Sequence, residues 1–91
     1  MRLTEQQIVA ELETLEWHRN SGTIVRGWKL EDFRAAIAFV NGIAELAEAA
    51  DHHPDILVHR FNHVRVTLTT HSASGLTQRD FDLARRIDAL L

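Results

Sequence analysis

The sequence contains no cysteine. That excludes a thiol nucleophile, a thiolate metal site and any disulfide brace, and it fits a reducing compartment. Nowhere do four or more lysines and arginines cluster, and the formal net charge is -3. A protein that grips nucleic acid or an anionic membrane carries the opposite bias, so neither is an expected partner. No segment is long and apolar enough to span a bilayer, and Met1–Glu11 is polar and charged, unlike a signal peptide. The expected location is the cytoplasm. Linkers, low-complexity segments, internal repeats and metal-finger spacings are also missing.

With 91 residues, the chain is long enough for one domain, taken as 1–91. A core of that size is limited and has no covalent reinforcement. Burying further surface between subunits is a natural remedy, so an oligomer is expected. What the sequence does have is histidine: six in all, five of them between His52 and His71. Histidine is the side chain whose ordinary pKa lies nearest neutrality, which makes a cluster a candidate site.

Thr4-Glu5-Gln6-Gln7 has the form of a capping box, and Ile8, Leu12 and Leu15 follow at helical spacing. Residues 4–15 therefore read as a short amphipathic helix. Asn20-Ser21-Gly22 is a turn signal between Trp17–Arg19 and the β-branched, aromatic stretch Thr23–Leu30, which together read as a hairpin. From Glu31 to about Ala50 the period is helical, with Phe33, Ile37, Val40, Ala44 and Ala47 as the main stripe. Ala36 and Ile43 widen it; Phe39 and Leu46 fall outside it and are candidates for contact with another subunit.

Pro54 disfavours helix at His53 and opens an extended stretch, Asp55–His59. After a loop at Arg60-Phe61-Asn62, Val64, Val66 and Leu68 alternate with polar residues as a half-buried strand. His71 lies at or just past its end. Thr77-Gln78-Arg79-Asp80 is a second capping box, modified by Asp at its fourth position, and Phe81, Ala84, Ile87 and Leu91 define a last helix. The order α-β-β-α-β-β-α predicts an α+β domain: a four-stranded antiparallel sheet with three helices on one face.

One pattern runs through the second half. Glu48 is followed after three residues by His52-His53-Pro54, then six residues to Phe61, nine to His71 and eight to Asp80. In these residues the chain resembles the pterin-4a-carbinolamine dehydratase family. The resemblance extends upstream to Trp17 and the helix of Phe33, so it covers nearly the whole chain. Three features depart from the usual family pattern. Asp55-Ile56 stands where many members have Glu-Trp, the connection to the aromatic is the longer of two permitted lengths, and Phe61 replaces the more usual Tyr. They bear on the rim of the pocket and leave the histidines in place.

The resemblance implies an enzyme that removes water from 4a-hydroxytetrahydropterin, giving quinonoid dihydropterin in tetrahydrobiopterin recycling. It implies a homodimer or homotetramer, a functional link to an aromatic amino-acid hydroxylase, and no cofactor or metal, the pterin being the substrate. By the same resemblance His52 and His71 are the catalytic acid–base groups, His53 holds the substrate, and Glu48 and Asp80 are supporting carboxylates. The chemistry suits the residue type. Dehydration needs one group to protonate the leaving hydroxyl and another to take a proton from the ring nitrogen, and imidazoles serve both ends near neutral pH. The alternatives are a non-catalytic interaction module, since some animal members are dimerisation cofactors of a homeodomain transcription factor, or an orphan pterin-binding protein of the same fold.

Plainer readings exist for single residues. Asp80 is equally explained as the reciprocal arm of its capping box, and the two roles can coexist. Glu48 sits late in its helix, where the dipole disfavours it, which points mildly to a partner such as a histidine. His59 and His63 have the four-residue spacing of a helical zinc pair, but their segment reads as loop and strand. Trp17 and Trp28 read as core or subunit contacts rather than a stacking platform. Arg26 reads as an exposed strand residue.

Overall fold

The computed structural model describes residues Met1–Leu91. Its elements are α1 (Glu5–Leu12), β1 (His18–Asn20), β2 (Thr23–Lys29), α2 (Phe33–Ala50), β3 (Asp55–His59), β4 (His63–Leu68), a 3-10 turn (His71–Ala73) and α3 (Gln78–Asp88). The strands form one antiparallel sheet in the order β1-β2-β4-β3. This is the α+β order read from the sequence.

Register explains which face is buried. Ile24 pairs with Leu68, Trp28 with Val64, and Val66 lies between Arg26 and Ile56. Directly opposed residues share a face, so these side chains form one surface. Ile24, Val64, Val66 and Leu68 are buried there with Ile8 of α1, Ala36, Phe39 and Ile43 of α2, and Phe81, Leu83, Ala84 and Ile87 of α3. Arg65 and Leu57, which pair with each other, lie on the other face and are exposed.

Both capping boxes are present. Thr4 accepts from the Gln7 amide while the Gln7 side chain accepts from the Thr4 amide. At the start of α3 the Asp80 carboxylate accepts from the Thr77 amide. β1 is tied to α1 by Arg19, whose guanidinium meets both oxygens of Glu5 at 2.6 and 2.7 Å. Hydrogen bonding first, and the positive charge second, hold the Glu5 carboxyl below its ordinary range. A lowered carboxyl pKa contributes stability that is present at neutral pH and lost as pH falls through it; full exposure keeps this contribution small.

Four expectations need correction. The inward face of α2 is Ala36, Phe39, Ile43 and Ala47, whereas Phe33 is 55% exposed and Ala44 is also exposed. The helix is apolar over more than one stripe, so spacing alone did not settle which stripe faces the sheet; Phe39 does, edge-on to Trp28 at 4.9 Å between ring centres. Arg26 is not an exposed strand residue. It sits on the inner face, over the Trp28 ring, and pairs with Asp88 at 2.9 Å, which also accepts from the Trp17 indole. α1 ends at Leu12 and α3 at Asp88, so Leu15 and Leu91 lie outside the helices. The first strand is His18–Asn20, one residue later than Trp17–Arg19.

Ile24 is fully buried at the centre of the sheet. Ile24→Ala should therefore destabilise the protein by about 2–5 kcal/mol in urea unfolding, the range for truncating a buried aliphatic side chain. A loss below about 1 kcal/mol would mean that this core is not packed as described.

Candidate active site

Topology brings the two histidine segments together. β3 and β4 form a hairpin, so the residues entering β3 and those leaving β4 lie at the same end. His52, His53 and Pro54 precede β3; Thr69, Thr70 and His71 follow β4. The tight loop at Arg60–Asn62 is at the other end. Phe61 belongs there, 63% exposed, and the five residues of β3 separate it from the histidines by about 17 Å at the usual strand rise. The aromatic of the sequence pattern is thus remote from His52, His53 and His71 of its own chain.

The end of α2 sets the direction of His52. Asp51 adopts the left-handed conformation (φ 49, ψ 45), its amide donates to Glu48 O and the His52 amide donates to Ala47 O. This is a Schellman motif, built on Asp in place of the usual Gly. Arg79, in the first turn of α3, donates to the carbonyls of Ala50 and Asp51 at 3.0 and 2.6 Å and fastens the turn to α3. The chain then sends His52 inward and His53 outward. His52 is 7% exposed, while the His53 side chain is 59% exposed.

Each of these imidazoles has its own carboxylate. His52 Nε2 lies 2.6 Å from Asp80 Oδ1. His53 Nε2 lies 2.5 Å from Glu48 Oε2. Glu48 at the unfavourable end of α2 therefore has the histidine partner that its position suggested. Asp80 is fully buried and serves both of the roles the sequence left open. One oxygen faces His52; the other accepts from the Thr77 amide at 2.9 Å and the Thr70 hydroxyl at 2.8 Å.

His71 is exposed in the 3-10 turn. That turn is closed by the paired backbones of Thr70 and Gly75, with Ser74 in the left-handed region. Beside it the surface sinks into a depression of about 590 Å³ lined by Arg2, Thr70, Ser72, Thr77, Gln78 and Arg79, among others. A larger one, about 770 Å³, lies around Met1–Leu3 and Arg19, and neither depression has a histidine in its lining. Three imidazoles, two of them carboxylate-paired, thus lie at one end of the β3–β4 hairpin, near a polar depression. Such a set can donate, accept and relay protons.

His59 and His63 are also brought together, not by helical spacing but as opposed residues of the β3–β4 hairpin, with ring centres 5.3 Å apart. No third His, Asp or Glu joins them as a metal cluster. Sequence reasoning gave Thr70 and Arg79 no role of their own: Thr70 was visible only as part of the strand end before His71, and Arg79 only inside the capping box; each matters because distant elements meet. Thr77 was visible as a cap but not as part of a buried network.

Comparison with known proteins identifies the family. The family model described as Pterin 4 alpha carbinolamine dehydratase matches residues 1–90. A Chloroflexus aggregans protein, provisionally named a pterin-4-alpha-carbinolamine dehydratase, is 52% identical over 92 residues, covering 99% of this chain and 97% of its own. A Nocardia farcinica protein with the same provisional name is 52% identical over 89 residues, covering 97% and 93%. Among solved structures, a transcriptional coactivator/pterin dehydratase from Brucella melitensis superposes with a TM-score of 0.93 at 38% identity, over 99% of this chain and 98% of that one. A pterin dehydratase-like protein identified as a RuBisCO assembly factor in the alpha-carboxysome superposes with a TM-score of 0.70 at 21% identity, over 85% and 90% of the two chains, a likeness of fold alone. The chain belongs to the pterin 4 alpha carbinolamine dehydratase family.

Proposed function

We propose that the protein is a 4a-hydroxytetrahydropterin dehydratase working by histidine acid–base catalysis in the cytoplasm, with no cofactor or metal. The observation that carries this reading is the buried His52–Asp80 pair at the open end of the β3–β4 hairpin, where His52 adjoins His53 and Asp80 accepts from Thr70, the residue before His71. In the reaction, the proton on the ring nitrogen beside the hydroxylated carbon is removed. The nitrogen lone pair forms the new double bond, the carbon–oxygen bond breaks, and the hydroxyl leaves as water after receiving a proton. His52 is suited to take the first proton, because Asp80 stabilises the imidazolium that results. His71 supplies the proton to the hydroxyl. His53, turned outward and paired with Glu48, holds the polar edge of the pterin. General acid–base help of this kind is worth about a hundredfold to ten-thousandfold, enough for a leaving reaction that is already facile.

The second reading is a non-catalytic interaction module. It is favoured by the diversity of the fold, which also serves the RuBisCO assembly factor. The retained and carboxylate-paired histidines argue for catalysis, since a docking surface has no need of a buried imidazole–carboxylate pair. A pterin-binding protein of another pathway would share the site, and substrate assays separate it. The physiological source of substrate that fits best is an aromatic amino-acid hydroxylase.

Assembly into a homodimer or homotetramer completes the proposal. Phe33 and Leu57 are 55% and 44% exposed in the single chain, and β1 and β3 leave two open sheet edges. Light scattering at micromolar concentration should give a mass of at least two chains. A monomer alone would remove this part.

The activity is tested with synthetic 4a-hydroxytetrahydropterin. His52→Ala and His71→Ala should lower turnover at nearly constant KM, and His53→Ala should mainly raise KM, because lost transition-state help and lost uniform binding appear in different constants. The double variant of His52 and His71 should stay folded by circular dichroism and lose the roughly hundredfold or greater acid–base contribution. Wild-type turnover in that double variant would show the histidines to be structural.

A further inference from the structure

We propose that Thr70 is a positioning residue that acts through Asp80 to commit His52 to one tautomer, with the proton on Nε2 and the working lone pair on Nδ1. This rests on the dehydratase reading for its catalytic meaning, and it names the atom that does the work.

The donors around Asp80 can be ordered. An ionised carboxylate only accepts hydrogen bonds, and a threonine hydroxyl has one proton to give. Thr70 Oγ1 lies 2.8 Å from Asp80 Oδ2 and 2.8 Å from Thr77 Oγ1. Its proton must go to Asp80. The Thr77 hydroxyl must then donate to Thr70, so donation runs from Thr77 to Thr70 to Asp80. The Thr77 amide adds a second donor to the same Oδ2 at 2.9 Å. Two neutral donors thus converge on one oxygen of this fully buried acid.

The remaining oxygen, Oδ1, faces His52 Nε2 at 2.6 Å. An ionised oxygen has nothing to donate, so Nε2 carries the proton. In neutral His52 the lone pair is then on Nδ1. That atom makes no hydrogen bond, yet it is absent from the buried polar atoms that lack a partner, although the residue is only 7% exposed. Nδ1 therefore keeps some contact with solvent. A ring held at one nitrogen and open at the other is arranged as a proton acceptor. The His53–Glu48 pair has no such commitment. Both its side chains are more than half exposed and no further donor orients Glu48.

Thr70 couples two parts of the site. Its hydroxyl aligns Asp80, and so His52, while its backbone leads directly into the turn that bears His71. Without the hydroxyl, Asp80 Oδ2 keeps only the Thr77 amide, and the Thr77 hydroxyl loses its acceptor.

The test is nitrogen NMR of ring-labelled histidine in the intact protein without substrate, joined to steady-state dehydration of 4a-hydroxytetrahydropterin. Neutral His52 in the wild type should show the proton on Nε2 alone. In Thr70→Val, which keeps the β-branched shape, the Nδ1-protonated form should become detectable. Turnover should fall about tenfold to a hundredfold, with KM within about twofold, as expected for one hydrogen bond to a charged group. Thr70→Ser should restore both the single tautomer and the turnover. A wild-type His52 protonated on Nδ1 would overturn the proposal without any variant having to fold. So would a Thr70→Val protein with wild-type tautomer and turnover. A wild type with no dehydratase activity would remove the functional reading alone, and the ring spectrum would still decide the tautomer.

Discussion

Asp80 is a carboxylate with no exposed surface, and the geometry around the histidines depends on how it is satisfied. A buried charge without partners is costly enough that the group would neutralise instead. Here three donors surround it: the Thr77 amide, the Thr70 hydroxyl and His52 Nε2. They come from the start of α3, the end of β4 and the end of α2. The demand of one acid for hydrogen bonds therefore fixes where three elements meet. Removing one donor leaves the others to hold a less well-solvated charge, which is why the Thr70 hydroxyl can matter through Asp80.

The sheet supplies the rest. An antiparallel hairpin returns to its starting end, so a histidine before β3 and a histidine after β4 become neighbours although β3, the loop and β4 lie between them. The α2 helix reaches the same end through its Schellman turn, and Arg79 ties that turn to α3. At the far side of the core, Trp17, Arg26 and Asp88 form a second polar knot that anchors the C-terminal end of α3 to β2. The helix carrying Asp80 is thus held at both ends.

Much of this was legible in the sequence. The element order, the α+β class, both capping boxes and the membership of Glu48, His52, His53, His71 and Asp80 in one pattern could all be read from spacing and resemblance. Local signals carried them: a cap residue and its reciprocal partner lie three apart, and alternation marks a strand that is half buried. What could not be read depended on contacts between distant residues. The face that α2 turns inward was ambiguous because Phe33, Ile37 and Phe39 make more than one apolar stripe. Arg26 looked like a surface residue because nothing in its neighbourhood announces Asp88, 62 positions away. The role of Thr70 was hidden for the same reason, as its partner Asp80 is reached only when β4 and α3 pack. The aromatic Phe61 shows the converse: it is part of the pattern, yet the hairpin carries it away from the histidines.

The most direct test is the dehydration rate of Asp80→Asn, measured with 4a-hydroxytetrahydropterin beside the wild type and with the fold checked by circular dichroism. The amide keeps the shape of the acid but removes the charge, and it can donate to His52 Nε2 and drive the ring proton to Nδ1, as the same exchange does in the serine-protease triad, where it leaves the wrong tautomer. The account predicts a folded protein whose turnover is lower by on the order of a hundredfold, the lower end of what acid–base catalysis supplies. A folded Asp80→Asn protein that dehydrates the substrate at the wild-type rate would contradict it.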